Sequence, residues 1–550
     1  MLDIPNPEWL MGFDAETNAY SEYERLVQDV RASIPDSSYH EYPAHLKPAP
    51  HVYKPSLARL ARACKSFEDP ALNVLHEEID CFAALLTCLP EDLWTVEGPW
   101  LRLTFHRELL ETDWDILARH TARVRILHQG SREEDHGKFP PWPEVWEALN
   151  LCPIPVLFPR LHTLNCWMWT PEHVLCGRYL FGPQLRNIRF SMTTGELLER
   201  IPDLATLCPL LESIELGTVL DHPSLSFTSD AFTNVVRQYP CLRTLDLGRM
   251  VVLPGDVMHS LAQLPTFRHL RVLVLESSDW IYQETRVGLR NLHSLALDAQ
   301  NWDVATITVK LLLGDDLHTA RVRLSKLDVT CYNSPTLRGL SAFLGALVDC
   351  ISPLDVTRLT LLVVRVSDCD WTQLLALSQL RNLTRVSLLM RPSDSTEFMS
   401  LSGDSLYTLV RGWLLLEHLT IGYGFSPIPL RNFVTVLSLC PRIKSANIDV
   451  DVCNDPDDVI ALAAEGYLGV RNEYIKMLQL GPPRKLDAGR GVPDIGLMRS
   501  VFARYPIVSV LHHLFPNLNE FEHHFGVMPP PGKSVWAAVE AELEAMRGLD

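Results

Sequence analysis

Within YPCLRTLDLGRMVVLPGDVMHSLAQLPTFRHLRVLVL, Tyr239–Leu275, one short phrase occurs twice. YPCLRTLDL (Tyr239–Leu247) and FRHLRVLVL (Phe267–Leu275) each set an apolar residue, two variable residues, a second apolar residue, one variable residue and a third apolar residue. Outward from there, it reads FPRLHTLNC at Phe158–Cys166, CPLLESIEL at Cys208–Leu216, LRNLHSLAL at Leu289–Leu297 and LRNLTRVSL at Leu380–Leu388. Weaker copies stand at Leu185-Ile188-Phe190, Leu324-Leu327-Val329, Leu416-Leu419-Ile421, Ile443-Ala446-Ile448 and Leu518-Phe521. Each copy is a strand plus a return segment. Neither can bury its apolar side alone, so the copies must stack.

This phrase is that of a leucine-rich repeat. The expected fold class is α/β: a curved leucine-rich-repeat solenoid with parallel strands on its concave face, preceded by a small α-helical unit. The first apolar positions fall at 161, 185, 211, 242, 270, 292, 324, 359, 383, 416, 443 and 518. Most intervals are 22–35 residues, long enough for a helix in the return segment. Such helices are predicted over Asp230–Gln238, Val257–Gln263 and Leu430–Leu439. Near Val356–Val364 two registers fit, Val356-Leu359-Leu361 and Leu359-Leu362-Val364. The gap from 443 to 518 holds an acidic stretch, a helix near Ala461–Gln479 and the exposed loop GPPRKLDAGRGVP.

Four segments follow. Residues 1–54 form a polar N-terminal segment and linker, with one amphipathic stretch at Tyr20–Ile34. Residues 55–128 form the helical unit and its connector, and 129–525 the solenoid. Residues 526–550 end the chain in a capping helix, Ser534–Arg547, whose apolar side would cover the open end of the stack. Within the helical unit, Leu57, Leu60, Ala61, Cys64 and Phe67 recur at helical spacing. Pro70 opens a second helix carrying Leu72, Leu75, Ile79 and Phe82, and Asp113–Arg123 forms a third behind Thr112. Val124-Arg125-Ile126-Leu127 reads as the first strand.

The 550 residues carry a net charge of −18, from 49 basic and 67 acidic side chains. Such a field repels nucleic acid and anionic membranes unless a basic patch overrides it, so neither is expected as a partner. The sequence contains 13 cysteines and no Cys-x-x-Cys. Buried reduced thiols are the better reading, and they point to the cytoplasm or nucleus. The N-terminus lacks the basic and apolar regions of a secretory signal, and no run of ~18 apolar residues spans a membrane.

Two stretches resemble a known family. LARLARACKSFEDPALNVLHEEIDCFAALLTCLPEDLW (Leu57–Trp94) and FHRELLETDWDILARHTARVRIL (Phe105–Leu127), followed by the repeats, are similar to the F-box/leucine-rich-repeat proteins of basidiomycete fungi. The family's back half of the F-box, C-x-S-F-x-x-P-A-L-x-x-L-W, stands here as Cys64, Ser66, Phe67, Pro70, Ala71, Leu72 and Leu75, with His76 in place of the Trp. The front of the F-box is degenerate or missing; PNPEWLMGF (Pro5–Phe13) is an echo of it at best. The resemblance implies a non-catalytic substrate-recognition subunit of an SCF-type ubiquitin ligase. Leu60, Cys64, Phe67, Pro70, Leu72 and Leu75 would then dock a Skp-type adaptor, and the concave face would hold a target protein. The alternative is an adaptor-independent interaction scaffold with a vestigial F-box.

Residues flanking the second and third apolar positions should line the concave sheet. They include Glu215, Asp246, Glu276, Asp298 and Asp328, an acidic file that would suit a basic target. Like charges on adjacent strands are unfavourable unless cations compensate them; the other reading is an acidic protein scattering acid everywhere. His512-His513 and His523-His524, near Glu520 and Glu522, match no metal motif and read as surface histidines. Ala488–Gly491 lacks the context of a phosphate loop, and no GxSxG occurs. Hence no catalytic residue, metal or cofactor is expected. Trp167, Trp169, Trp280 and Trp302, beside repeat strands, are either interface anchors or core.

Overall fold

The computed structural model describes residues 54–63, 65–80, 82–97, 102–129, 143–168, 179–193, 204–219, 225–226, 236–248, 251–253, 255–275, 278, 287–314, 321–332, 338–366, 371–392, 403–422, 428–448, 450–451, 472, 474–475, 477–480, 514–515 and 520–523. Tyr20–Ile34, the loop GPPRKLDAGRGVP and Ser534–Arg547 lie outside them.

Among the described residues a seventeen-stranded sheet forms the spine; two of its strands, Leu225–Ser226 and Val251–Val252, are two-residue pieces that pair with each other, and the other fifteen follow the repeats. Its strands pair in parallel, each with the strand of the next repeat. The line runs from β1 (Glu78–Ile79) and β2 (Ile126–Gln129) through β3 (Thr163–Met168), β4 (Asn187–Thr193), β5 (Ser213–Val219), β6 (Thr244–Asp246), β7 (His269–Val274) and β8 (Ser294–Ala299). It continues through β9 (Lys326–Cys331), β10 (Arg358–Val366), β11 (Arg385–Pro392), β12 (His418–Gly422), β13 (Ser445–Ile448), β14 (Met477–Leu480) and β15 (Glu520–His523). Parallel neighbours, each reached by a crossover and none by a hairpin, make this the expected α/β leucine-rich-repeat solenoid.

The phrase explains the geometry. In FPRL, CPLL, YPCL and CPRI the first apolar residue closes a turn: the amides of Leu161, Leu211, Leu242 and Ile443 donate to Phe158, Cys208, Tyr239 and Cys440, at 3.1–3.2 Å. Proline is the second residue of each turn, where its fixed φ fits and no N–H is required. The next two apolar positions alternate along the strand and point into the core. Leu161, Leu164 and Cys166 are buried in this way, as are Leu242, Leu245 and Leu247, and Leu416, Leu419 and Ile421. Each such leucine contributes roughly 1.5–3 kcal/mol by leaving water. Just before the strands, one backbone ladder runs unbroken through Arg125, His162, Arg186, Glu212, Arg243, Arg268, His293, Ser325, Thr357, Thr384, Glu417 and Lys444. The hydroxyls of Ser325, Thr357 and Thr384 reinforce it, each donating to the preceding repeat's carbonyl at 2.9–3.1 Å.

Return segments lie behind the sheet. They include helices at Gly255–Ala262, Trp302–Leu313, Arg338–Cys350, Gly403–Val410 and Leu430–Leu439, and a 3-10 helix at Trp371–Gln379. Leu430–Leu439 matches its sequence expectation residue for residue. Trp302–Leu313 starts at Asn301, whose side chain accepts from the Val304 amide at 2.9 Å, an N-cap. Trp302 is buried and packs on Phe343 of the next helix, ring centres 5.3 Å apart.

The structure corrects several boundaries. Phe267, not Leu270, holds the first position of its repeat, because Leu270 pairs with Leu245 and Leu295 in the second-position file. Leu359 pairs with Leu327, which selects the Val356-Leu359-Leu361 register. Gln479 belongs to strand β14, not to a helix; Ile475-Leu478-Leu480 is a further copy of the phrase, with Ile475 buried. The sheet begins at Glu78–Ile79, one strand before Val124–Leu127. The second helix spans Lys65–Leu75 with Pro70 inside it, so Ile79 belongs to a strand. Tertiary pairing with β2 outcompetes helix continuation there.

Before the array, α1 (Lys54–Ala63) packs on α2 (Lys65–Leu75), followed by the short α3 (Ala83–Leu86) and α4 (Glu111–Thr121). The cap of α4 is Leu110, not Thr112: the buried Asp113 carboxylate reaches back to the Leu110 amide at 2.9 Å and pairs with Arg107. Arg107 holds the Asp113 carboxyl below the usual carboxylate range, with help from the Leu110 amide and against the opposing effect of burial. A carboxyl depressed in the folded state contributes stability that is present above its unfolded pKa and lost as pH falls through the folded value. Asp113→Asn should therefore lower the urea midpoint at pH 7. Its difference from wild type should shrink below about pH 4, measured by denaturation at both pH values.

Candidate interaction surfaces

The pairing register decides which side chains share the open face of the sheet. The position between the second and third apolar residues forms one file: His128, Asn165, Arg189, Glu215, Asp246, Arg271, Ala296, Asp328, Thr360, Ser387, Thr420 and Asn447. Of the acidic candidates, Glu215, Asp246 and Asp328 stand in this file. Asp298 lies two residues further along its strand, opposite Leu273 and Thr330. Glu276 lies outside the described residues.

The chain itself places cations beside these acids. Arg189 stands 3.7 Å from Glu215, Arg271 is 3.7 Å from Asp246 and 3.0 Å from Asp298, and Lys326 is 2.8 Å from Asp328. Asp298 is almost wholly buried, and it also accepts from the Tyr332 hydroxyl at 3.2 Å. Burial works against the Arg271 charge, but Asp298 and Asp246 outweigh it and hold the guanidinium charged. Burial lifts the Glu215 carboxyl above its ordinary value; Arg189 opposes that shift and Asp246 adds to it. The requirement that like charges on adjacent strands be compensated is thus met partly from within.

A second file was not read from the sequence. The residue just before the second apolar position gives Lys326, Arg358, Arg385 and His418 on four consecutive strands. All four are half-buried on the open face. The signal was present in SKLDV, TRLTL, TRVSL and EHLTI once the register is set by Val356. The open face thus carries Glu215 and Asp246, each beside an arginine, on β5 and β6, and a basic row from β9 to β12 whose first member, Lys326, pairs with Asp328.

The helical unit presents a different surface. On α2, Phe67, Pro70 and Val74 follow helical spacing and are exposed; Phe67 and Val74 are 51% and 46% accessible. Ala71 is buried and Leu72 and Leu75 are half-buried. Arg123 ties α2 to the end of α4, through Asp69 at 2.7 Å and Asn73 at 3.1 Å. Leu60 lies in α1, and Cys64 is outside the described residues.

Of the tryptophans, Trp302 is core, Trp167 lies in β3, and Trp169 and Trp280 fall outside the described residues. His523 lies in β15 with Glu520 and Glu522, whereas His512, His513 and His524 are outside, as are Ala488–Gly491. Among the described residues, no helix is long and apolar enough to cross a membrane.

No protein-family model matches the chain, and no curated protein matches it. Among solved structures, the chain is similar to one in the crystal structure of the Rad7 and Elc1 complex in yeast, at 15% identity and a TM-score of 0.37. That match covers 64% of this chain and 81% of the other. An internalin (inlF) from Listeria monocytogenes matches at 13% identity and a TM-score of 0.29, over 68% and 79%. A chain of the TLR13–ssRNA13 complex matches at 12% identity and a TM-score of 0.32, over 74% and 52%. These are distant likenesses, and the repeat architecture rests on the chain's own strand pairing.

Proposed function

We propose that the chain is a non-catalytic substrate-recognition subunit of an SCF-type ubiquitin ligase, working in the cytoplasm or nucleus. The observation that carries this reading is the exposed apolar face Phe67-Pro70-Val74 on α2, within the stretch that resembles the back of an F-box. Exposed aromatic and aliphatic side chains on one helix face suit a helix-in-groove contact with a Skp-type adaptor. Leu60, Cys64, Leu72 and Leu75 belong to the same proposed docking unit. The target is a protein held on the concave face. Its basic groups would meet the Glu215–Asp246 side, and its acidic groups the Lys326-Arg358-Arg385 row. Holding adaptor and target on one rigid solenoid raises the target's effective concentration at the ligase, without chemistry by the chain.

Co-purification with a Skp-type adaptor tests this. Wild type should retain the adaptor, while Phe67→Ala/Val74→Ala, whose changes are on the surface, should weaken binding by roughly thirtyfold or more, the size of a hot-spot loss. Absence of binding by folded wild type would favour the scaffold with a vestigial F-box, the reading favoured by the missing front motif in residues 1–50.

A further inference from the structure

The fold brings together three residues that the sequence holds far apart. His76 follows α2, Cys88 follows α3, and His120 is in the last turn of α4. Their ligating atoms all lie within 4.8 Å of one another. The two imidazole Nδ1 atoms face each other at 3.5 Å, with ring centres 5.0 Å apart and planes at 77°. His76 is buried, and Cys88 and His120 are half-buried.

We propose that His76, Cys88 and His120 form a binding site for a zinc-like divalent cation, with an open fourth position. Two nitrogens on one tetrahedral zinc, each about 2.0–2.1 Å from the metal, stand about 3.3 Å apart; the Nδ1 pair is already at that separation within a few tenths of an ångström. The thiol closes the third position by a small side-chain adjustment. Two imidazoles and a thiolate are borderline-soft ligands, the set that favours zinc over magnesium or calcium. Burial is the largest cause lowering His76, to about 4, and also lowers His120, which favours the neutral rings a metal needs; the same burial raises the Cys88 thiol, so the metal itself must displace that proton. Arg123 stands near both rings and would repel a dication, but its guanidinium is engaged by Asp69 and Asn73. The bound thiolate supplies one compensating negative charge.

Such a cation would tie α2, α3 and α4 together beside β1, bracing the face that carries Phe67. The site itself stands on the three side chains and does not depend on the ligase reading. The competing arrangement is a plain hydrogen bond between two neutral imidazoles, with the thiol a bystander.

The test titrates Co²⁺ into the full chain, purified metal-free. One equivalent should give a near-ultraviolet thiolate-to-cobalt band and the visible bands of a tetrahedral site, and Zn²⁺ should displace both. Zn²⁺ should also raise the melting temperature of wild type. Cys88→Ser should abolish the thiolate band. His120→Asn should weaken cobalt binding by more than the roughly 10–100-fold typical of losing an outer-shell partner. No thiolate band at equimolar Co²⁺ in folded wild type would overturn the site, as would a band that persists in Cys88→Ser. Should Cys88→Ser fail to fold, unchanged affinity in a folded His120→Asn would overturn it as well.

Discussion

Trp413→Ala should destabilise the middle of the solenoid by about 3–5 kcal/mol, the usual cost of truncating a large buried aromatic. Trp413 is fully buried at the turn before β12. Its indole Nε1 donates to the Leu377 carbonyl at 3.1 Å, linking its repeat to the preceding one. Its own carbonyl accepts from the Cys440 thiol of the following repeat at 3.4 Å. Alanine removes the ring and the indole donor; the Leu380 amide still donates to the Leu377 carbonyl at 3.0 Å, so the cavity is the main penalty. In a solenoid each repeat contacts only its neighbours, so the damage should stay local. Hydrogen exchange should accelerate across 371–392, 403–422 and 428–448 and leave the amides of β3 to β5 unchanged. Uniform acceleration along the whole sheet would show instead that the array unfolds as one cooperative unit.

Asp298→Ala should cost about 3 kcal/mol, close to the lower end for breaking a buried ion pair by removing one partner. The Asp298 carboxylate is buried on the open face, between Arg271 at 3.0 Å and the Tyr332 hydroxyl at 3.2 Å. Without it, Arg271 keeps the more distant Asp246, at 3.7 Å, and the weaker field of Glu215. The guanidinium must then turn to solvent or stay poorly compensated. Denaturation by urea measures the loss. The double variant Asp298→Ala/Arg271→Met should recover much of it, because an apolar side chain of similar length leaves no stranded charge. If the double variant is as unstable as Asp298→Ala alone, the penalty comes from the lost Tyr332 contact and the space left behind, not from the orphaned cation.

These two residues also mark how far the sequence could be read. Trp413 stands three residues before Leu416, the place that Phe158 and Tyr239 hold in their repeats, so its burial follows from even a weaker copy of the phrase. Asp298 was legible as a concave residue, but its neighbours were not. A phrase with apolar residues at both second and third positions, and at the residue beyond, as in FRHLRVLVL, satisfies two registers. Hydrophobicity alone cannot choose between them, and only the hydrogen-bonded partner strand does. The choice moves Arg271 into the acid file and brings Lys326, Arg358 and Arg385 into one row. The Ile475-Leu478-Leu480 copy was present in the sequence but lay inside a long interval read as helix and loop, where period alone separates strand from helix poorly.

That this chain is a stack of strand-and-return repeats is legible in its residues alone, because three apolar residues at fixed spacing have one way to leave water: against copies of themselves. So are the turns, since proline after a buried residue and before the first leucine leaves the backbone little choice. What lies beside what across repeats is set by the folded arrangement. The charge pairs of the open face, the exposed side of α2 and the meeting of His76, Cys88 and His120 depend on strand register and helix docking, which are set by contacts between residues distant in the chain.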